Sequence, residues 1–175
     1  MNKFQMNKFQ IYTRKGDKGE TSLANGIRFA KDDLRIDAIG EIDELSAALG
    51  IVRSIDNSQP FCQTIHRVQN ELIRLMSELA SVDDNRYKIS QSDIKRLETD
   101  IDSASELLPE FKAFIVAGDN FQSSFLHLAR TICRRAERSL VKLNNVKGGV
   151  SPLALVYMNR LSDLLFVLSR CCDAV

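Results

Sequence analysis

Leu128-Ala129-Arg130-Thr131-Ile132-Cys133-Arg134-Arg135-Ala136-Glu137-Arg138 is the stretch from which the fold is read. At about 100° per residue, Phe125, Leu128, Ala129, Ile132, Ala136 and Leu140 share one broad face. That is the pattern of a helix that buries one side. Arg130, Arg134 and Glu137 fall on a narrow stripe opposite it, with Arg138 at the edge. Spacings of three and four residues make these side chains neighbours. Two readings stand side by side. The stripe is a solvated face with internal ion pairs, or it is a polar site facing another subunit. Clustered arginines repel one another, but they suit a bidentate grip on phosphate or carboxylate.

Outward from this helix the pattern stays helical. Asp119 or Asn120 can cap its start, and it reaches about Leu143. Gly148-Gly149 marks a turn. Ser151-Pro152 is a cap followed by proline at the first helical position, so another helix runs to near the C-terminus. Upstream, Ile36, Ile39, Leu45, Leu49 and Val52 recur at helical steps, predicting a first helix from Asp32 to Ser54. A second carries Ile65, Val68, Leu72, Leu75, Met76 and Leu79, with Pro60 at its start. A third is capped by Ser90 or Ser92, holds Ile94, Leu97, Ile101, Ala104 and Leu108, and is closed by Pro109. Phe114 to Gly118 is too brief for a helix and reads as extended. Residues 11–30, broken by Gly16, Gly19 and Gly26, read as a loop with no sheet. Five helices with short connections predict an all-α, up-down bundle.

At 175 residues and 44% hydrophobic content, the chain makes one domain with one core. Its expected organisation is a tail at 1–10, disordered or artificially added, and a single domain at 11–175. That domain comprises a loop at 11–30 and a bundle at 31–175. The tail repeats itself: Met1-Asn2-Lys3-Phe4-Gln5 recurs as Met6-Asn7-Lys8-Phe9-Gln10. A net charge of +1 gives no field to gather nucleic acid. No apolar run long enough to span a bilayer is read, and no signal peptide, so no membrane partner and a cytoplasmic address are expected. Cys62, Cys133, Cys171 and Cys172 form no C-x-x-C pair and read as reduced, packed thiols. His66 and His127 have no second ligand at metal spacing.

Three further constellations carry possible chemistry. Thr13-Arg14-Lys15-Gly16-Asp17-Lys18-Gly19-Glu20-Thr21-Ser22 offers exposed amides, two lysines and an arginine around glycines, a combination that can cradle phosphates. Asp17 or Glu20 can help place Mg²⁺ riding on nucleotide phosphates. P-loop spacing is absent, and a flexible basic loop is the alternative. Gly40-Glu41-Ile42-Asp43-Glu44-Leu45 is a surface acidic cluster or a partner for a cation such as Arg130. In Asn159-Arg160-Leu161-Ser162-Asp163-Leu164-Leu165-Phe166, Asn159 can bind a nucleotide edge or face water.

Together with Lys31-Asp32-Asp33, these pieces resemble the PduO-type ATP:cob(I)alamin adenosyltransferase family from residue 11 to near the C-terminus. The resemblance implies a ferritin-like homotrimer of five-helix bundles with active sites between subunits, no metal bound by the protein alone, and an electron-donating reductase as partner. It implies that Thr13, Arg14, Lys15, Gly16, Asp17, Gly19, Thr21, Ser22 and Lys31 wrap ATP. Arg134, Arg135, Glu137, Arg138 and Asn159 would complete that site from the adjacent subunit. Arg130 would pair across the interface with Asp43, and Phe114 would close the lower face of the corrinoid. Cobalt(I) of a reduced cobalamin would attack C5′ of ATP, with Mg²⁺ and cationic side chains stabilising the departing triphosphate. Two departures stand out: Ala117-Gly118-Asp119 replaces the family's usual Pro-Gly-Gly, and Ala38-Ile39-Gly40 its common Ala-Tyr-Gly. The competing readings are a catalytically degenerate nucleotide or corrinoid carrier or sensor, and an all-α assembly subunit with no ligand.

Overall fold

The structure, a computed structural model, describes residue 12 and residues 14–23, 26–56, 61–81, 88–106, 108–109 and 115–173. Among them are five helices: α1 (Leu34–Ile55), α2 (Cys62–Ala80), α3 (Gln91–Ser105), α4 (Phe121–Lys147) and α5 (Pro152–Asp173). The expected bundle is present, and its starts are chemically explicit. Asp33 caps α1 by accepting from the Arg35 amide, and Asn120 caps α4 through the Ser123 amide. Ser90 and Asp93 form a reciprocal capping box on α3. The Ser151 hydroxyl accepts from the Ala154 amide at 3.1 Å, with Pro152 opening α5.

Helix α1 packs on α2 and α4, α4 on α5, and α5 on α3. Ile42, Leu45, Leu49, Ala129, Ala136, Leu140, Leu161 and Leu164 are fully buried along the central α1–α4–α5 layer. Each buried leucine or isoleucine contributes about 1.5–3 kcal/mol. A polar layer ties α2, α3 and α5. The buried Glu71 carboxylate accepts from the Tyr157 hydroxyl at 2.7 Å and meets Arg67 at 3.3 Å and Arg96 at 3.2 Å. Buried Asp93 accepts from Arg74 at 2.8 Å and pairs with Arg96. Burial pushes the Tyr157 phenol well above its ordinary pKa, and the Glu71 carboxylate reinforces that shift.

Several expectations need correction. Residues 11–30 are not all loop: β1 (Glu20–Ser22) pairs antiparallel with β2 (Arg28–Ala30), Thr21 opposite Phe29. Gly26, at φ 79°, supplies the left-handed turn between them. Strands of three residues carry too little alternation to be read. Helix α1 starts at Leu34 because Asp33 is its cap, α3 stops at Ser105 rather than Leu108, and α4 continues to Lys147. Leu128 is 48% exposed rather than core. It lies about 100° around the helix from Ala129, at the flank of the buried face. Finally, α5 is long and apolar enough by composition to cross a membrane. Its apolar residues Ala154, Tyr157, Met158, Leu161, Leu164, Leu165 and Leu168 are instead buried against the bundle. The four cysteines are free, as expected, and burial pushes the Cys172 thiol up to about 12. The repeated N-terminal tail lies outside the described residues.

Candidate active site

The hairpin builds an anion-seeking pocket. Lys15, Gly16, Glu20, Thr21, Ser22, Arg28 and Lys31 line an open cavity of about 490 Å³. Three cations face one carboxylate there, an arrangement that favours a multivalent anion. Gly16 sits at a close approach: a Cβ would lie 3.3 Å from the Glu20 carbonyl, tighter than an ordinary contact, and 3.5 Å from Lys31 Nζ. The Lys31 amide donates to the Gly19 carbonyl at 2.8 Å, so the glycine turn sets where Lys31 leaves the strand. Arg28 braces the pocket by donating to Glu20 at 2.9 Å and to the Lys15 carbonyl at 3.0 Å. The sequence reading missed Arg28, although its position opposite Ser22 follows once the hairpin is known. Arg14 and Asp17 are exposed outside the lining, Arg14 lying 5.6 Å from the Tyr12 ring centroid. Thr13 lies outside the described residues.

The arginine stripe of α4 divides. Arg134 and Arg138 are exposed, and Arg138 donates to the Arg134 carbonyl at 3.1 Å. Glu137 accepts from Asn159 Nδ2 at 3.2 Å, joining two expected site residues from α4 and α5. Arg130 Nε is buried with no hydrogen-bond partner among the described residues. No Arg130–Asp43 bond is found within the protomer among the described contacts, and Asp43 is exposed. Arg135 belongs to the other flank, where it pairs with Glu44 and lies 4.0 Å from Glu41 of α1. The Glu44 hydrogen bond raises its pKa. Arg135 is thus part of the α1–α4 contact in the protomer rather than of the Arg134–Glu137 stripe.

Phe114 lies outside the described residues. Among the described residues that follow it in the sequence, Val116 is 85% and Phe121 68% exposed, and Phe121 meets Phe125 edge-on at 4.9 Å. His127 is buried nearby on α4, 6.2 Å from the Phe166 ring, and burial followed by the Arg130 charge lowers its pKa. Among the described residues no three His, Cys, Asp or Glu side chains cluster to hold a metal.

The two halves of this chemistry lie far apart on one chain. Lys147 pairs with Asp33 at 2.5 Å, fastening the end of α4 to the start of α1, next to the hairpin. Arg134 is further back along α4, by about 20 Å at 1.5 Å per residue. No residue of α4 lines the hairpin pocket.

The family model described as "Cobalamin adenosyltransferase" matches residues 11–172. The chain belongs to the cobalamin adenosyltransferase family. Among curated adenosyltransferases it is 40% identical to the corrinoid adenosyltransferase of Mycobacterium leprae over 171 residues, covering 92% of this chain and 90% of that one. It is 38% identical to the Bacillus subtilis corrinoid adenosyltransferase over 170 residues, covering 94% and 87%. Among solved structures it superposes with a TM-score of 0.88 on a variant PduO-type ATP:corrinoid adenosyltransferase of Lactobacillus reuteri, complexed with cobalamin and ATP. That pair is 34% identical over 94% of each chain. The five-helix adenosyltransferase bundle expected from the sequence is the fold shared with that structure.

Proposed function

We propose that this chain transfers the 5′-deoxyadenosyl group of ATP to cobalt(I) of a reduced corrinoid, at a site completed between two copies of the chain. The observation that carries the proposal is the separation just described. The glycine-cradled cationic pocket lies in the hairpin before α1, and the exposed Arg134 lies about 20 Å back along α4 from Lys147, which pairs with Asp33 beside that hairpin. Each is half of a triphosphate site, and a neighbouring copy brings the second half to the first. The buried, unpartnered Nε of Arg130 and the exposed Asp43 fit an ion pair that forms only across that junction. A trimer satisfies this closure three times.

In the reaction the cobalt(I) lone pair forms the Co–C5′ bond. The C5′–O bond breaks, and its electron pair leaves with triphosphate. Lys15, Lys31 and Arg28 of one chain, with Arg134 and Arg138 of the next, stabilise that leaving charge. Mg²⁺ fits as the triphosphate's counter-ion, held by phosphates and at most one or two carboxylates such as Glu20 or Asp17. Holding cobalt in line with C5′ removes much of the entropic barrier. Exposed Val116 and Phe121 supply apolar surface that can keep water from the lower face of the corrinoid, the role the family resemblance gives to Phe114. Four free thiols suit the reducing cytoplasm, where an electron donor keeps the corrinoid reduced.

The test is purified protein with ATP, Mg²⁺ and chemically reduced cobalamin. The expected result is the adenosylcobalamin spectrum with stoichiometric triphosphate. Arg134→Ala should lower kcat by about 10²–10³-fold, the cost of one charge-stabilising donor. Mixing inactive Arg134→Ala with inactive Lys31→Ala protein should restore activity, because some interfaces then carry both intact halves. ATP binding without triphosphate release in a single turnover would identify a carrier or sensor instead.

A further inference from the structure

We infer that Arg160 and Glu98, neither of which touches the ATP site proposed above, are positioning residues that fix the orientation of the Asn159 amide. The inference rests on the reading of Asn159 and Glu137 as ATP-site residues. It adds helix α3, on which no site residue had been placed, to the machinery.

The geometry is a relay across three helices. Glu98 of α3 accepts from Arg160 Nε at 3.1 Å. A terminal N–H of the same guanidinium donates to Asn159 Oδ1 at 3.1 Å. Asn159 Nδ2 then donates to Glu137 Oε1 on α4 at 3.2 Å. An amide has an acceptor at one end and donors at the other. Turned over, Asn159 would set its NH₂ against the guanidinium and its oxygen against the Glu137 carboxylate, two repulsive contacts in place of two bonds. Arg160 thus selects one orientation, and Glu98 selects the position of Arg160 by engaging its Nε. A planar guanidinium can serve both partners at once, which a single ammonium cannot.

Stability does not account for this pair. The Arg160 and Glu98 side chains are 39% and 43% exposed, and such ion pairs contribute about 0–1 kcal/mol. Arg160 also lies 3.8 Å from Asp163, so it keeps a carboxylate neighbour when Glu98 is neutralised. What Glu98 adds is direction. With Asn159 set, Glu137 is held by one oxygen and keeps Oε2 available to accept from a ligand hydroxyl.

The experiment compares ATP affinity and steady-state kinetics of Glu98→Gln, Arg160→Lys, Asn159→Ala and the double variant Glu98→Gln/Asn159→Ala. Loss of one orienting bond should raise the KM for ATP about three- to tenfold in Glu98→Gln and Arg160→Lys. The kcat and the KM for corrinoid should stay within about twofold, and Tm should fall by less than about 4 °C. In the Asn159→Ala background Glu98→Gln should have no further effect on ATP affinity, since the group it orients is gone. If Asn159→Ala binds ATP as the wild type does, the site reading fails and this inference with it. If Asn159→Ala weakens ATP while Glu98→Gln does not, only the positioning role is overturned. Additive effects in the double variant, or a KM rise that follows a large loss of Tm, would also overturn it.

Discussion

Replacing Asp93 by Asn should remove about 2 kcal/mol of stability at neutral pH, and only a small part of that at pH 2. Asp93 sits in the first turn of α3 with its side chain only 2% exposed. Burial alone would raise its pKa. The Ser90 hydroxyl at 2.6 Å, Arg74 at 2.8 Å and the Ser90 amide at 2.8 Å outweigh that, and the carboxyl is held down at about 2. The fall from 3.8 to about 2 converts at 1.36 kcal/mol per unit to about 2 kcal/mol. Because the folded pKa lies below the unfolded one, this stability is complete above about pH 4. It is lost progressively as the pH falls below 4 and through the folded pKa of about 2. Asn keeps the shape and can still accept from one donor, but it cannot titrate. Urea unfolding of both proteins at intervals from pH 7 to pH 2 isolates the residue, since every other carboxylate cancels in the difference. The gap should be about 2 kcal/mol from pH 7 to pH 5 and close steadily below pH 4. A gap that stays constant to pH 2, or one smaller than about 0.5 kcal/mol at pH 7, would refute the assignment.

Gly16→Ala should raise the KM for ATP with little change in Tm, because its Cβ meets the Glu20 carbonyl and the end of Lys31 inside the pocket; an unchanged KM in initial-rate assays would show that the pocket does not hold triphosphate. Tyr157→Phe removes the 2.7 Å donor to buried Glu71 and should cost about 1.5–3 kcal/mol in urea unfolding, since Arg67 and Arg96 remain but one lone pair is left bare. His127 is neutral in its buried site, its folded pKa below the unfolded value near 6.5, so its contribution is present above about pH 6.5 and is lost as the pH falls below it. Melting curves at pH 8 and pH 5.5 should therefore diverge less for His127→Phe than for the wild type; equal divergence would place the acid sensitivity elsewhere.

What could be read from the sequence was whatever one helix decides by itself. Ser90, Asn120 and Ser151-Pro152 announce helix starts because a cap bonds to an amide two or three residues away. The core faces of α1 and α2 follow from apolar spacing for the same reason. Leu128 failed because a face has two edges, and only the neighbouring helices decide how far burial extends. The hairpin escaped because three residues per strand hold barely one alternation. The burial of Glu71 and Asp93 escaped for a different reason: local spacing pairs them with Arg67 and Ser90, but the partners that enclose them, Arg96, Tyr157 and Arg74, are 25, 86 and 19 residues away.

The site divides along the same line, and the division carries a consequence. Angular placement on α4 puts Arg134 and Glu137 together, and in the structure Glu137 meets Asn159 of α5 while Arg134 is exposed. Arg135 follows Arg134 directly yet points to α1, where Glu44 and Glu41 occupy it. Adjacent arginines on a helix are turned apart by about 100°, so one can hold the bundle while its neighbour stays open to a ligand. A single arginine could not do both: a guanidinium committed to Glu44 is neutralised there. On the proposed function, the doubled arginine separates a structural charge, Arg135, from a ligand-facing one, Arg134. Arg135→Ala should accordingly lose far less kcat than Arg134→Ala and show its effect chiefly in unfolding, by no more than about 1 kcal/mol for so exposed a pair. Equal losses of kcat in the two variants would mean that both arginines leave their places in the isolated protomer to meet the triphosphate.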